Sequence, residues 1–315
     1  MDTKLLDEVL ECLSKERTRF PYFKDRYAFL LLADCAQEGA AVSDLKRSRF
    51  AGLLNKPSVK AHLATCGGGS VAKSDLTYAW QEPSVTFLLT AGQWIGEDIS
   101  QWSQVSRPGA NLVLRLHCPA SVDRLLWKQL APEDDAFFGA WCHPILGRGE
   151  RRYYRETLAW SRIDFDFHSG EALIEELQTD WVREVGDFAR HVARATSRET
   201  FEYYGVRINV GRAKRYLNAL APYAALWEEA MLMATIQFIR DELGLDHIYM
   251  HDWESGNRLK RITHSYPPRR LYTSLPKRFC FDKTAQSPDF LLSDRRFVRH
   301  VKKLACAPSW HRLAA

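Results

Sequence analysis

Apolar residues recur with helical spacing through the first 66 positions of the chain. The pattern covers residues 5–13, 27–39 and 43–57, and Ser43 is a suitable N-cap for the third segment. A fourth, shorter helix is predicted for residues 56–66, where three consecutive glycines follow it. The pattern therefore predicts a helical N-terminal region over residues 1–70.

Strand-like runs dominate the middle of the chain, interrupted by amphipathic helices. The strongest helical pattern covers residues 223–244, with Gly244 where a helix usually ends. Helices around a mainly antiparallel central sheet define the α+β class. We predict an α+β core over residues 71–281 and a basic C-terminal extension over 282–315, with a single domain as the alternative. Six segments are predicted to be strands: 74–80, 84–92, 111–118, 157–167, 172–181 and 246–253.

Three helices followed by a hairpin are also the order of a winged helix-turn-helix. In that interpretation the helix around residues 56–64 would enter the DNA major groove, and strands 74–80 and 84–92 would form the wing. Packing of the same helices against a sheet explains the pattern more simply. The sequence leaves both alternatives open.

The composition is that of a folded protein in a reducing compartment. Apolar residues make up 46% of the chain, and no run approaches the roughly 20 uncharged apolar residues of a membrane span. The seven cysteines are odd in number and scattered, which argues against a disulfide framework. We therefore predict a cytoplasmic protein without a membrane partner.

Positive charge is concentrated at the C-terminal end of the chain. Residues 251–315 contain 14 Lys and Arg against 5 Asp and Glu, whereas the preceding part is slightly acidic. Basic residues interleaved with aromatic ones suit nucleic acid, because phosphates attract the charge and bases stack on the rings. The alternative is an ordinary solvated surface. Four residues are the predicted nucleic-acid or nucleotide contacts: Arg269, Arg270, Lys277 and Arg278.

Two predicted strands, 157–167 and 172–181, carry an unusual number of charged side chains. Side chains on a strand alternate between its two faces, so each strand separates an apolar set from a charged set. Glu175 lies between two leucines and is predicted to point towards the core. When the apolar faces are matched, one face of the hairpin collects six residues: Arg162, Asp164, Asp166, Glu176, Gln178 and Asp180.

Such a cluster suits chemistry, but a structural role explains it at least as well. A carboxylate in apolar surroundings acquires a raised pKa or finds a buried partner, and both arrangements occur at catalytic sites. Glu175 or Glu176 is the predicted acid/base, Asp180 and Asp164 are predicted metal or orienting groups, and Arg162 or Arg155 is the predicted anion clamp. A divalent cation such as Mg²⁺ is compatible with these oxygen ligands. In the structural alternative, Arg162 neutralises the acids in a buried network.

The same segment resembles large polyvalent proteins of bacteriophages and mobile elements over residues 153–280. The resemblance is carried by a Tyr-Arg-Glu step and by a sequence similar to the family's Glu-Glu-Ile-Gln-Ser-Asp-Trp signature. It implies a connection to phage–host conflict, and it adds candidate binding residues. The matching positions are Tyr154, Arg155, Glu156, Glu175, Glu176, Gln178, Asp180 and Trp181.

Two functions remain open at this point. The first is an enzyme that acts on a nucleotide or nucleic acid through the carboxylate-rich site, with the basic tail steering the substrate. The second is a non-catalytic module that binds nucleic acid or a protein, in which the acidic signature organises the sheet. The sequence contains no nicotinamide, flavin or coenzyme A signature.

Overall fold

An eight-stranded sheet forms the centre of the protein in the computed structural model, which describes residues 1–13, 18–36, 39–100, 102–130, 138, 156–304 and 307–314. The strand order is β1-β4-β5-β6-β7-β10-β12-β11. Neighbouring strands are antiparallel except β7 and β10, which run parallel. The strands are β1 Thr18–Phe23, β4 Ser84–Gly96, β5 Gly109–His117, β6 Thr157–Asp166, β7 Glu171–Gln178, β10 His247–His251, β11 Asp282–Thr284 and β12 Trp310–Leu313. Two small sheets pair β2 Ala40–Ala41 with β3 Ser70–Val71 and β8 Thr200–Tyr203 with β9 Val206–Asn209.

The helix α8, Val210–Gln237, is the longest described helix. The side chain of Asn209 caps its first turn, and the helix continues through a π-helical turn, Phe238–Glu242, before Gly244 takes a φ of +66°. Glycine suits that position because it has no Cβ to clash in the left-handed region. The other helices are α1 Thr3–Cys12, α2 Arg26–Ala36, α3 Val42–Leu45, α4 Pro57–Thr65, α5 Lys73–Thr77, α6 Ala120–Leu130, α7 Trp181–Arg194, α9 Trp253–Leu259, α10 Ser274–Arg278, α11 Asp289–Leu292 and α12 Arg295–Val301.

The two faces of the sheet pack against different helices. On one side, which we call the α8 face, alternate residues such as Ile163, Ile174 and Met250 join the main core with α7 and α8. On the other side, the α12 face, Leu173 and Tyr249 belong to a second, smaller core. That core is completed by Leu259 of α9, Phe290 and Leu291 of α11, Phe297 of α12, and Trp310. The α12 face also carries the charged residues of β6 and β7.

The pairing of β6 with β7 contains a β-bulge at Glu175. Arg162 pairs with Glu176 whereas Ile163 pairs with Ile174, so that Glu175 is the extra residue of its strand. A bulge interrupts the strict alternation of side chains. Glu175 consequently joins Glu176 on the α12 face. It is buried, as predicted, but on the face opposite to the one that strict alternation gives.

The α+β class is confirmed, but the N-terminal region is not simply helical. Residues 1–70 contain α1 to α4, and they also contain β1, which pairs with β4 at one edge of the central sheet. Residues 73–77 form helix α5 where a strand was predicted, so that no hairpin joins residues 74–80 to 84–92 and the wing of the helix-turn-helix interpretation is not formed.

All three predicted segments contribute to one sheet. β1 comes from residues 1–70, β4 to β7 and β10 from 71–281, and β11 and β12 from 282–315. The division of the chain into these segments stays a prediction. Among the described helices, none combines the length and apolar character that a membrane crossing requires.

Candidate functional site

Glu175 lies inside the molecule with each carboxylate oxygen hydrogen-bonded. Its Oε1 accepts from the backbone N–H of Ser106 at 2.8 Å, and its Oε2 accepts from the Ser106 hydroxyl at 3.0 Å. His251 Nε2 lies 3.0 Å from the same Oε2. Lys260 Nζ donates to the backbone carbonyl of Glu175 at 2.8 Å. The four side chains form one buried polar cluster on the α12 face.

The environment fixes the charge of this cluster. Burial alone would raise the pKa of Glu175, but the hydrogen bond from His251, the charge of Lys260 and the Ser106 N–H lower it to about 2. Burial lowers the pKa of His251, and a neutral imidazole still donates its Nε2–H to Glu175. His251 Nδ1 is buried without a hydrogen-bond partner among the described residues, which further disfavours a second ring proton. Glu175 is therefore ionised and His251 neutral at pH 7.

Arg162 connects the acidic strands to the loop between β4 and β5, residues 97–108, which we call the capping loop. Its Nε donates to Glu176 at 2.7 Å, while its terminal nitrogens donate to the carbonyls of Ser103 and Gln104 at 3.0 and 2.8 Å. Its guanidinium also lies 5.1 Å from the centre of the Trp94 ring. The Arg162 side chain is only 1% exposed. It therefore serves as a buried anchor for the loop, and it is closed to an incoming anion.

A second set of acidic residues holds the capping loop and helix α11. Asp164 accepts two hydrogen bonds from Arg107 of the loop, at 2.7 and 2.9 Å, and its Oδ1 lies 2.9 Å from the amino group of Met1. The Arg107 guanidinium stacks 4.4 Å above the ring of Phe290. Glu171 accepts from the backbone N–H of Asp289 at 2.7 Å. These bonds fix the first turn of α11 on the sheet.

The predicted catalytic set is thus divided and sealed. Glu175, Glu176 and Arg162 meet under the capping loop, whereas Asp180 lies at the start of α7, where it pairs with Arg183 at 2.7 Å. Gln178 donates to Asp180 at 3.2 Å. Within the part of the chain that is described, no group of three or more acidic, histidine or cysteine side chains is arranged to hold a metal ion.

The remaining residues of the polyvalent-type signature contribute to packing. Trp181 is buried on the α8 face, and its Nε1–H donates to the hydroxyl of Tyr216 at 3.0 Å. The carbonyl of Glu156 lies 3.1 Å from His117 Nδ1, and its side chain is buried. Tyr154 and Arg155 lie outside the described residues.

Most of the predicted basic contacts have acidic partners. Arg269 lies 3.6 Å from Glu254, Arg270 pairs with Glu228, and Arg278 pairs with the buried Glu229. Lys277 is exposed. A guanidinium group that is paired with a carboxylate attracts a phosphate less strongly than a free one. The paired arginines are therefore weak candidates for nucleic-acid contacts.

A basic cleft of 370 Å³ opens elsewhere on the α12 side, between α12, residue 261 and the capping loop. Four exposed cations line it, and in the described part of the chain none of the four has a carboxylate partner. His300 also lines it, and burial lowers the pKa of that imidazole, whose Nε2 lies 2.9 Å from the carbonyl of Leu259. Among the described residues that line the cleft, Asp98 is the only acidic one. The cations are Arg261, Arg296, Arg299 and Lys303.

The sequence contains a signal for this cleft. Arg299 and His300 lie three and four residues after Arg296, and four and three residues before Lys303, which is the spacing of one helix face. Asp294 caps α12 by accepting the backbone N–H of Arg296 and Phe297. Arg261 could not be assigned to the group from the sequence, because it lies far from α12 along the chain.

The capping loop joins the sealed acidic cluster to the open basic cleft. Its middle binds Arg162, Glu175 and Asp164 through residues 103–107, while Asp98, Ile99 and Pro108 line the cleft. The acidic strands therefore position one wall of the cleft.

Comparisons with protein-family models, curated proteins and solved structures each give no match. The resemblance to polyvalent proteins accordingly stays a prediction.

Proposed function

We propose that this protein binds nucleic acid without catalysing a reaction on it, through the basic cleft on the α12 side. The observation that carries the proposal is the set of four cations around one cleft, which lack acidic partners among the described residues. Like charges held together repel one another, and a polyanion that enters the cleft relieves this repulsion and releases its own counterions.

The acidic signature has a supporting role in this proposal. Each carboxylate of Glu175, Glu176 and Asp164 is paired with a protein group, and these pairs hold the capping loop or the N-terminal segment. Catalysis by these residues would require the loop to leave its position and break several buried hydrogen bonds, each of which is costly to leave unmade. The closed geometry therefore supports binding over carboxylate chemistry.

The test compares two charge-reversal variants that alter the same helical segment by the same amount. Arg296→Glu/Lys303→Glu changes the cleft, whereas Arg295→Glu/Lys302→Glu changes two exposed neighbours outside its lining. Affinity for a labelled oligonucleotide is measured by fluorescence anisotropy at several salt concentrations. Contacts from the four cleft cations predict a log–log salt slope of about −3 for a single strand.

We expect the cleft variant to lose at least about tenfold in affinity and the control variant less than about threefold. The absence of binding at low salt, a flat salt response, or equal losses in the two variants would each overturn the proposal.

A further inference from the structure

An exposed tryptophan projects from the loop that borders the basic cleft. The Trp102 side chain is 76% exposed, whereas other tryptophans such as Trp160 and Trp310 are fully buried. A large aromatic side chain left in water forgoes the favourable free energy of burial. A single exposed aromatic residue is common in proteins, so the position of Trp102 decides whether it has a use.

Hydrogen bonds hold the backbone on either side of Trp102. Gln104 N–H donates to the Ser100 carbonyl at 2.9 Å, which closes a turn around Trp102. The carbonyl of Ser103 accepts from Arg162 and from the indole N–H of Trp94, at 3.0 and 3.1 Å. The tryptophan is therefore presented on a turn that is anchored to the buried network beneath it.

The same turn places Trp102 beside the cleft. The Ser103 hydroxyl donates to Asp98 at 2.8 Å, and Asp98 lines the cleft. Since consecutive Cα atoms lie about 3.8 Å apart, the Cα of Trp102 is within roughly 10 Å of the Asp98 carboxylate. An indole ring can span much of that distance, so it is within reach of a ligand whose phosphates occupy the cleft.

We infer that the ligand is single-stranded nucleic acid, DNA or RNA, with one base stacked on Trp102 while its backbone lies against the cleft cations. This inference rests on the proposed function and specifies its substrate class. A duplex keeps its bases stacked on one another and offers no free face to the indole, whereas every base of a single strand has one. The site combines the two elements of single-strand recognition, a basic groove and an aromatic platform.

The experiment measures the affinities of the full chain for four labelled ligands of equal length: oligo-dT, its RNA counterpart, an abasic strand and a duplex. Trp102→Ala is compared with Trp102→Phe, which retains an aromatic ring, and with Tyr204→Ala. Tyr204 is a matched control because it is 69% exposed and packs beside Tyr203 next to α7, on the α8 side. Unchanged unfolding temperatures verify that the variants are folded.

We expect Trp102→Ala to weaken single-strand binding at least about fivefold, with little change for the abasic strand, and Trp102→Phe to keep most of the affinity. Tyr204→Ala should leave all affinities unchanged. The DNA and RNA arms show whether the site discriminates between the two sugars.

The inference is overturned if Trp102→Ala changes nothing, if it weakens the abasic strand equally, or if the wild-type chain prefers the duplex. In each of these cases a loss of affinity in Arg296→Glu/Lys303→Glu would leave the proposed function standing. If the cleft variant binds all ligands as the wild type does, the proposed function itself fails.

Discussion

Glu175 carries a full negative charge at a position with no exposed surface. Taking a carboxylate out of water is expensive, and only hydrogen bonds and opposite charges make the ionised form tolerable there. The Ser106 N–H and hydroxyl, together with His251, supply those bonds. The removal of one partner from such a group destabilises the fold far more than the intact group stabilises it.

We expect Glu175→Gln to lower the free energy of unfolding by about 2–4 kcal/mol. One carboxylate oxygen now accepts from both Ser106 and His251, and the glutamine amide would place an N–H donor against donors. Chemical denaturation provides the measurement. The matched control is Glu202→Gln, at an exposed position of β8, which should change stability by less than about 0.5 kcal/mol. A Glu175→Gln protein with wild-type stability would argue for a functional role of this carboxylate instead.

The arrangement of Glu175 shows what strand alternation can and cannot predict. Alternation placed Arg162 and Glu176 on one face, and they form a direct ion pair. It also sent Glu175 to the opposite face, because a strict period of two leaves no room for an extra residue. The bulge arises from pairing with β6, and its partners Ser106 and His251 come from distant segments. None of this is visible in a local pattern.

At the scale of elements, the capping loop links the sheet to the cleft. Its described residues form no regular secondary structure, yet buried side chains of β6 and β7 bind its backbone at several points. One wall of an otherwise basic cleft consequently carries the carboxylate of Asp98, whose partner is the hydroxyl of Ser103. This charge opposes the approach of a polyanion.

Asp98→Asn should tighten nucleic-acid binding by about two- to fivefold at low salt, because it removes a repulsive charge and keeps an acceptor for Ser103. The control is Glu97→Gln, which removes the same charge from the adjacent exposed position outside the cleft lining. Titrations of both variants at two salt concentrations provide the measurement. An equal gain in both variants would mean that net charge, rather than the cleft, determines affinity.

Elements with a strong periodic signal were predictable, and short ones were not. The apolar runs of β4 to β7 and β10 identified the sheet, and Gly244 marked the end of the long helical stretch. That stretch begins at Val210, however, because Pro222 is accommodated inside α8 and does not separate two helices. Residues 73–77 form helix α5 although the sequence around them has a strand-like pattern. Packing against α2 outweighs the intrinsic preference of so short a segment.

At the scale of the whole molecule, the charge asymmetry of the sequence becomes a spatial one. The basic C-terminal extension, residues 282–315, supplies α12 and three of the four cleft cations, and Arg261 just after α9 is the fourth. The sequence reveals the excess of positive charge, but it does not reveal which basic residues are neutralised by acidic residues in the folded protein. Glu228 and Glu229 of α8 pair with Arg270 and Arg278, and these pairs form only in the folded chain.

The buried network also determines how the whole fold responds to acid. The pKa of Glu175 falls from 4.5 in the unfolded chain to about 2 in the folded protein, so the unfolded state binds more protons between these values and stability is lost as pH falls through them. Burial lowers the pKa of His251, His300 and His311 as well. The stability that these histidines contribute is present above pH 6.5 and is lost as pH falls below it.

We therefore expect the unfolding temperature to decline in two stages on acidification, first below about pH 6.5 and again below about pH 4.5. His251→Gln keeps a side-chain N–H donor for Glu175 and removes the titration of the imidazole, so the decline of the unfolding temperature below pH 6.5 should become shallower. The control variant His168→Gln, at an exposed turn position, should not have this effect. Glu175→Gln should remove up to about 3 kcal/mol of the second stage. An unfolding temperature of the wild-type protein that stays constant from pH 7 to pH 4 would contradict this account, because it would mean that these groups have the same pKa values in the folded and unfolded states.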